Sequence, residues 1–261
     1  MGLSYQLREQ IARHTLGVSP YSNVSPLYVA LLKELSAAGQ NYDEVSGSGY
    51  ERKQLNPADL TSPSNGESSN VSDIVWDPAL ADWGTVRYAA LFTSDISGDM
   101  VSWFEFPRPR FIATSAIFRI LENDLKITME GAFGLHLRNN LIDFIFRDGS
   151  FSIPSALYCG LGRSPGSNNS SLSEPPSGTG YSRIEVASFS QTGNGSYAIT
   201  SPDPMLFSAD DGDWGDITHV GLWDSSTGGN LFYALELDDS RKIFDGDGIQ
   251  FDSGSVVINV V

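Results

Sequence analysis

The side chains able to act as nucleophile, base or soft metal ligand are few: His14, His136, His219 and the lone cysteine, Cys159. His14 and His136 lie in segments of helical spacing, with no cysteine or second histidine at ligand distance along the chain. His219 alternates with Thr218 and Val220, as a strand side chain does. Cys159 sits inside the apolar run from Leu157 to Leu161 and reads as a small buried hydrophobe rather than a nucleophile. Asp245-Gly246-Asp247-Gly248 and Asp210-Asp211-Gly212-Asp213 offer oxygens for calcium. An EF-hand loop needs a glutamate at its twelfth position, however, and counting from Asp245 that position is Val256. Both segments therefore read as acidic turns. The serine-hydrolase, zinc-protease, phosphate-loop and dinucleotide patterns are missing, and among 32 acidic residues no pair is marked out for glycoside hydrolysis. No catalytic residue, cofactor or metal site is nominated.

What does recur is a set of aromatic, arginine and glycine residues. Asp82-Trp83-Gly84-Thr85-Val86 returns as Asp213-Trp214-Gly215-Asp216-Ile217, an offset of 131. Gly49-Tyr50-Glu51-Arg52 returns as Gly180-Tyr181-Ser182-Arg183 at the same offset, while Leu27–Leu31 and Leu157–Leu161 are 130 apart. One inserted residue between Tyr158 and Gly180 reconciles the two offsets. An ordered series of matches with a single insertion implies tandem duplication, with modules at 1–131 and 132–261. Each tryptophan could be an exposed ligand platform or an anchor packed beneath the turn made by the glycine after it. The motif repeats while nearby loops differ in composition, which favours structural anchors: Trp83, Gly84, Tyr50 and Arg52 in the first module, Trp214, Gly215, Tyr181 and Arg183 in the second.

The elements that must position these anchors follow the same duplication. Leu3, Leu7 and Ile11 are spaced by four and predict a helix ending near Gly17. Its second version, Leu137, Leu141, Ile142, Phe144 and Ile145, is more apolar, and its wider apolar face suits a helix sandwiched between other elements. After each helix the pattern turns strand-like. Runs at 27–32, 50–55, 71–76 and 85–92 are matched by runs at 156–161, 181–189, 217–223, 231–237, 249–251 and 256–260. Ser/Gly/Asn-rich loops lie between them at 36–48, 56–70 and 162–180. The fold expected is mainly β: two tandem antiparallel β-sandwich modules, each preceded by an N-terminal α-helix. Phe106-Pro107-Arg108-Pro109-Arg110-Phe111 breaks the symmetry, replacing Leu237-Asp238-Asp239-Ser240-Arg241-Lys242. Its two prolines suit an edge or a rigid turn, and Arg108 and Arg110 are candidates for docking an acidic partner.

Charge narrows the function classes. The chain carries 16 Lys and Arg against 32 Asp and Glu, a formal net charge of −16. Each module has 16 acids, with 10 bases in the first and 6 in the second, giving −6 and −10. Such a surface repels phosphate backbones and anionic lipid, so nucleic acid is not an expected partner. There is no apolar stretch long enough for membrane insertion and no signal-peptide pattern at Met1, which points to synthesis in a cytoplasm-like compartment.

The helix, the Leu27–Leu31 strand, the Gly-Tyr-x-Arg and Asp-Trp-Gly motifs, Gly228-Gly229-Asn230-Leu231, Gly246-Asp247 and the final strand together resemble a family of tail-fibre or minor structural proteins of tailed bacteriophages. The match is fullest over 137–261 and looser over 7–129, where Ser97-Gly98-Asp99-Met100 replaces the Gly-Gly-Asn-Leu turn. The resemblance implies a β-rich, non-enzymatic building block of the virion, made in the host cytoplasm and present in many copies. Its expected partners are other virion proteins and further copies of itself, in a trimer or higher ring. The alternatives are a capsid decoration protein and a receptor module whose loops hold a host-surface glycan.

Overall fold

The computed structural model describes residues 1–36 and 39–260. Positions 37 and 38 of the expected 36–48 loop, and the last residue of the second expected module, lie outside the described residues. The first repeat runs β1 (Gly2–Leu3), α1 (Tyr5–Thr15), β2 (Leu27–Leu35), β3 (Tyr42–Glu44), β4 (Lys53–Leu55), β5 (Glu67–Ser69), β6 (Ile74–Val75), β7 (Gly84–Phe92), β8 (Met100–Ile112), β9 (Arg119–Ile120) and β10 (Lys126–Thr128). The second runs α2 (Leu135–Phe146), β11 (Tyr158–Gly162), β12 (Ile184–Glu185), β13 (Ser188–Gly193), β14 (Ser196–Thr200), β15 (Met205–Ser208), β16 (Gly215–Trp223), β17 (Leu231–Ile243), β18 (Gly248–Phe251) and β19 (Val257–Asn259). The architecture is mainly β, with two helices preceding two groups of open antiparallel sheets, in line with tandem β-sandwich modules.

The principal sheet of the first repeat has the order β1-β8-β7-β2-β3, with β4 also on β2. That of the second has the order β12-β11-β16-β17. Their registers correspond: Tyr28 faces Phe92 as Tyr158 faces Trp223, and Gly84 faces Ile112 as Gly215 faces Ile243. The small sheets repeat too, since Ile74 opposite Ile120 becomes Met205 opposite Phe251. The central strands are buried on both faces, with Ala30, Leu32, Ala90 and Phe92 clustering on one of them. Val29, Leu31, Ala89 and Leu91 are fully buried in one repeat, and Cys159, Leu161 and Leu222 in the other.

The chain divides into two compact units. Unit 1 holds residues 1–8, 22–129 and 140–151, and unit 2 holds 9–21, 130–139 and the chain from Ser152 onward. Within unit 2, the Glu9 carboxylate accepts hydrogen bonds from the Gly195 N–H (2.8 Å) and the Tyr197 hydroxyl (2.7 Å). There too the Thr15 hydroxyl meets the Tyr233 hydroxyl at 2.6 Å. Within unit 1, Arg147 Nε donates to the Leu60 carbonyl at 3.2 Å, and Asn23 donates to the Phe144 carbonyl at 2.9 Å. A serine begins α1: the Ser4 hydroxyl accepts from the Leu7 N–H at 3.1 Å, an N-cap bond.

The buried face of α2 is the more apolar of the two, as its sequence suggests. Leu7, Ile11, Ala12, His14, Thr15 and Leu16 are buried on α1, and Leu137, Leu141, Ile142, Phe144, Ile145 and Phe146 are buried at the equivalent positions of α2. Every one of the α2 residues is apolar, whereas His14 and Thr15 interrupt the first set and Leu16 lies just past the end of α1. The first helix places polar groups on its own face, where the Thr15 hydroxyl donates to the Ile11 carbonyl at 2.8 Å and His14 Nδ1 accepts from the Tyr21 N–H at 3.0 Å. The long strands also outrun their expected ends. Pro107–Arg110 lies within β8, on a sheet edge rather than in a turn, and Asp238–Arg241 lies within β17.

Candidate functional site

The Asp-Trp-Gly turns start β7 and β16, and each glycine takes a left-handed backbone: φ is +84° at Gly84 and +77° at Gly215. An L-residue is strained there, and glycine is not. The turn drives the preceding indole inward. Trp83 is 3% exposed and donates its Nε1–H to the Ser48 carbonyl at 3.1 Å; Trp214 is 1% exposed and donates to the Thr179 carbonyl at 2.9 Å. Each ring meets a tyrosine edge to face, Tyr50 at 5.5 Å and Tyr181 at 5.6 Å.

The tyrosine hydroxyls reach the adjoining sheet. Tyr50 accepts from the Leu31 N–H at 2.8 Å and donates to Glu44 Oε1 at 2.9 Å. Tyr181 accepts from the Leu161 N–H at 3.0 Å and donates to Glu174 Oε1 at 2.7 Å. Burial first, and the nearby carboxylate second, push both phenols far above the ordinary tyrosine value.

Each glutamate also grips the arginine two residues beyond the tyrosine. Arg52 donates from Nε and Nη2 to Glu44 at 2.9 and 2.7 Å, and Arg183 donates to Glu174 at 2.8 and 2.6 Å. The remaining nitrogen, Nη1, bridges two carbonyls of the hairpin turn, Ser94 and Ser97 in one repeat and Ser225 and Gly228 in the other. Beneath each guanidinium lies a ring, Phe92 at 3.7 Å and Trp223 at 4.0 Å. Burial works against the Arg52 charge, but the hydrogen bond and charge of Glu44 more than offset it, holding the group above its ordinary value. The planar five-donor fork of arginine suits this double duty, which a lysine could not perform. The structure thus brings together all eight residues singled out by the repeat, four in each copy. Glu44 and Glu174 were missed, although they too stand 130 apart.

Arg108 and Arg110 fall elsewhere. Val86 faces Arg110 and Tyr88 faces Glu105, so Phe106–Pro109 bulges out opposite the single residue Arg87. The second repeat has the same bulge: Ile217 faces Arg241 and His219 faces Glu236, which leaves Leu237–Ser240 opposite Thr218. Arg108 and Arg110 are exposed, and among the described residues neither forms an ion pair.

The remaining reactive groups have structural surroundings. Cys159 is fully buried, and burial pushes its thiol up to about 12. The acidic turns spend their carboxylates on backbone: Asp245 accepts from the N–H groups of Asp211 and Gly212, both at 3.0 Å, and Asp213 accepts from that of Asp245 at 2.9 Å. Among the described residues no cluster of three or more His, Cys, Asp or Glu side chains could hold a metal ion.

A family model described as podophage GP4 fiber I protein gp80 matches residues 2–128 and, a second time, residues 132–259. The chain belongs to this family. It is a structural protein of a tailed-phage virion, and so part of a virion protein complex. No match was found among curated proteins. Within the gp80 family framework the arginine locks are internal: each ties a loop and a hairpin turn to the same sheet. No described helix is long and apolar enough to cross a membrane.

Proposed function

We propose that the chain is a doubled scaffold of the tail, baseplate or fibre attachment, assembling with further copies of itself in a trimer or higher ring and with other virion proteins. It is made in the host cytoplasm and built into the particle without cofactor or nucleic acid. The modules are 1–131 and 132–261, each held by its own anchors: Tyr50, Arg52, Trp83 and Gly84 in one, Tyr181, Arg183, Trp214 and Gly215 in the other. The observation that carries this reading is the duplicated tyrosine-arginine-glutamate lock. It commits the repeated polar residues to holding loops in place and leaves the differing bulges of β8 and β17 facing outward. Exposed loops are the natural sites of recognition on such a scaffold.

Quantitative mass spectrometry of purified particles tests it. The chain should persist through density-gradient purification at a fixed copy number that is a multiple of the local symmetry. Recovery only from the unassembled lysate would sink the proposal.

A further inference from the structure

Unit 2 contains an open groove of about 1040 Å³ beside β17, and its rim is acidic. Glu236, Asp238, Asp239 and Asp252 line it against a single guanidinium, Arg241. Among the described residues Glu236, Asp238 and Asp239 pair with no cation. Apolar side chains share the lining, among them Ile249 and the exposed Val257.

At the equivalent places unit 1 has larger groups. Phe118 stands for Ile249 and Phe106 for Leu237; the two rings meet edge to face at 5.5 Å, and the Arg110 guanidinium lies 5.7 Å from the Phe118 ring. Just beyond lies Phe111, 59% exposed. One repeat therefore presents a basic, aromatic bulge, and the other an acidic groove at the same place in the fold.

The edges bearing them are free of strand partners for most of their length. Among the described residues, strand β8 pairs on its outer side only with Gly2 and Leu3, and β17 only through a bridge between Phe133 and Tyr233. Pro107 and Pro109 remove two N–H donors from β8, which disfavours strand addition and leaves recognition to side chains.

We propose that the β8 bulge of one copy, with Arg110 and Phe111 just after it, docks into the acidic groove of a second copy, Arg108 and Arg110 meeting Glu236, Asp238 and Asp239, and Phe111 covering the apolar side chains of the lining. The contact is heterologous, since each copy carries one of each face, so it propagates head to tail and closes into a ring when the rotation allows. The proposal rests on the reading of the chain as a self-assembling virion part and names the surfaces that reading leaves open.

The test is sedimentation equilibrium of the full-length chain at low and high salt. Self-association should weaken with salt. Arg108→Glu with Arg110→Glu should weaken it at least about tenfold, as should Asp238→Arg with Asp239→Arg, because each sets like charges face to face. Combining all four substitutions should restore association. All four positions are exposed, so thermal melts should stay unchanged and rule out misfolding. A wild-type chain that stays monomeric overturns the proposal. So does self-association indifferent to the single-face reversals, though that result would leave the assembly reading intact. Binding of a host glycan that is lost in the Asp238→Arg, Asp239→Arg variant, without self-association, would give the groove to a sugar and equally overturn it. Virion membership is read separately from particle composition, so the two failures are distinguishable.

Discussion

The surroundings of Arg52 and Arg183 can be laid beside those of the two bulges. At the arginines, 131 residues apart, every donor finds the same partner type, and the bond lengths agree within about 0.1 Å. At the bulges, Phe-Pro-Arg-Pro stands against Leu-Asp-Asp-Ser on the same backbone excursion. Interior polar networks tolerate little change, because a lost partner leaves a desolvated charge. An exposed bulge has no such constraint and can change its charge outright. The duplication has preserved what holds each copy together and altered what each copy shows to its surroundings.

The largest effects should come from the indoles. Trp214→Ala and Trp83→Ala should each lower stability by roughly 3–5 kcal/mol in denaturant unfolding. A loss below about 1 kcal/mol for either would break the equivalence at its strongest point. The buried thiol of Cys159 sharpens this. Trp214→Ala should accelerate its labelling by a thiol reagent more than Trp83→Ala does, since the cysteine belongs to unit 2.

Next are the glutamates. Glu44→Gln and Glu174→Gln should each cost about 1.5–3 kcal/mol, because a nearly buried guanidinium loses a charged acceptor. Unequal costs would mean that one lock is ornamental. The smallest expected effect is alkaline. Tyr50 in unit 1, and Tyr181, Tyr197 and Tyr233 in unit 2, are all raised above the ordinary tyrosine value, chiefly by burial. A raised folded value means that stability is fully present below about pH 10 and lost as the pH rises above it, where the unfolded chain releases protons that the folded chain keeps. Unfolding midpoints should therefore fall on the alkaline side, and Tyr50→Phe should flatten the fall at least as much as Tyr233→Phe.

Much of this was legible in the amino-acid sequence because repetition exposes residues that a single copy would hide. The tryptophans, tyrosines and arginines stood out at one offset, and the alternation around them located most strands. Glu44 and Glu174 did not, because their neighbours differ: Asp43 and Val45 in one copy, Ser173 and Pro175 in the other. The strand expected at 231–237 stops short of its true end because Asp238-Asp239-Ser240 carries no apolar alternation; the bulge lets those residues project while β17 continues past them. Nothing local shows that the hydroxyl of Thr15, at the end of α1, meets that of Tyr233. Nor does any local pattern encode that residues 9–21 belong to unit 2 and 140–151 to unit 1. Such assignments arise from packing between segments far apart in the chain.

The most direct test of a doubled scaffold with matched interiors and complementary faces is an electron cryomicroscopy map of the intact particle. The account predicts repeated copies in which the Arg108 and Arg110 bulge of each lies against the Asp238 and Asp239 groove of the next, with both arginine locks intact inside. A map in which the two repeats sit in unrelated surroundings, with neither bulge contacting another copy, would contradict it.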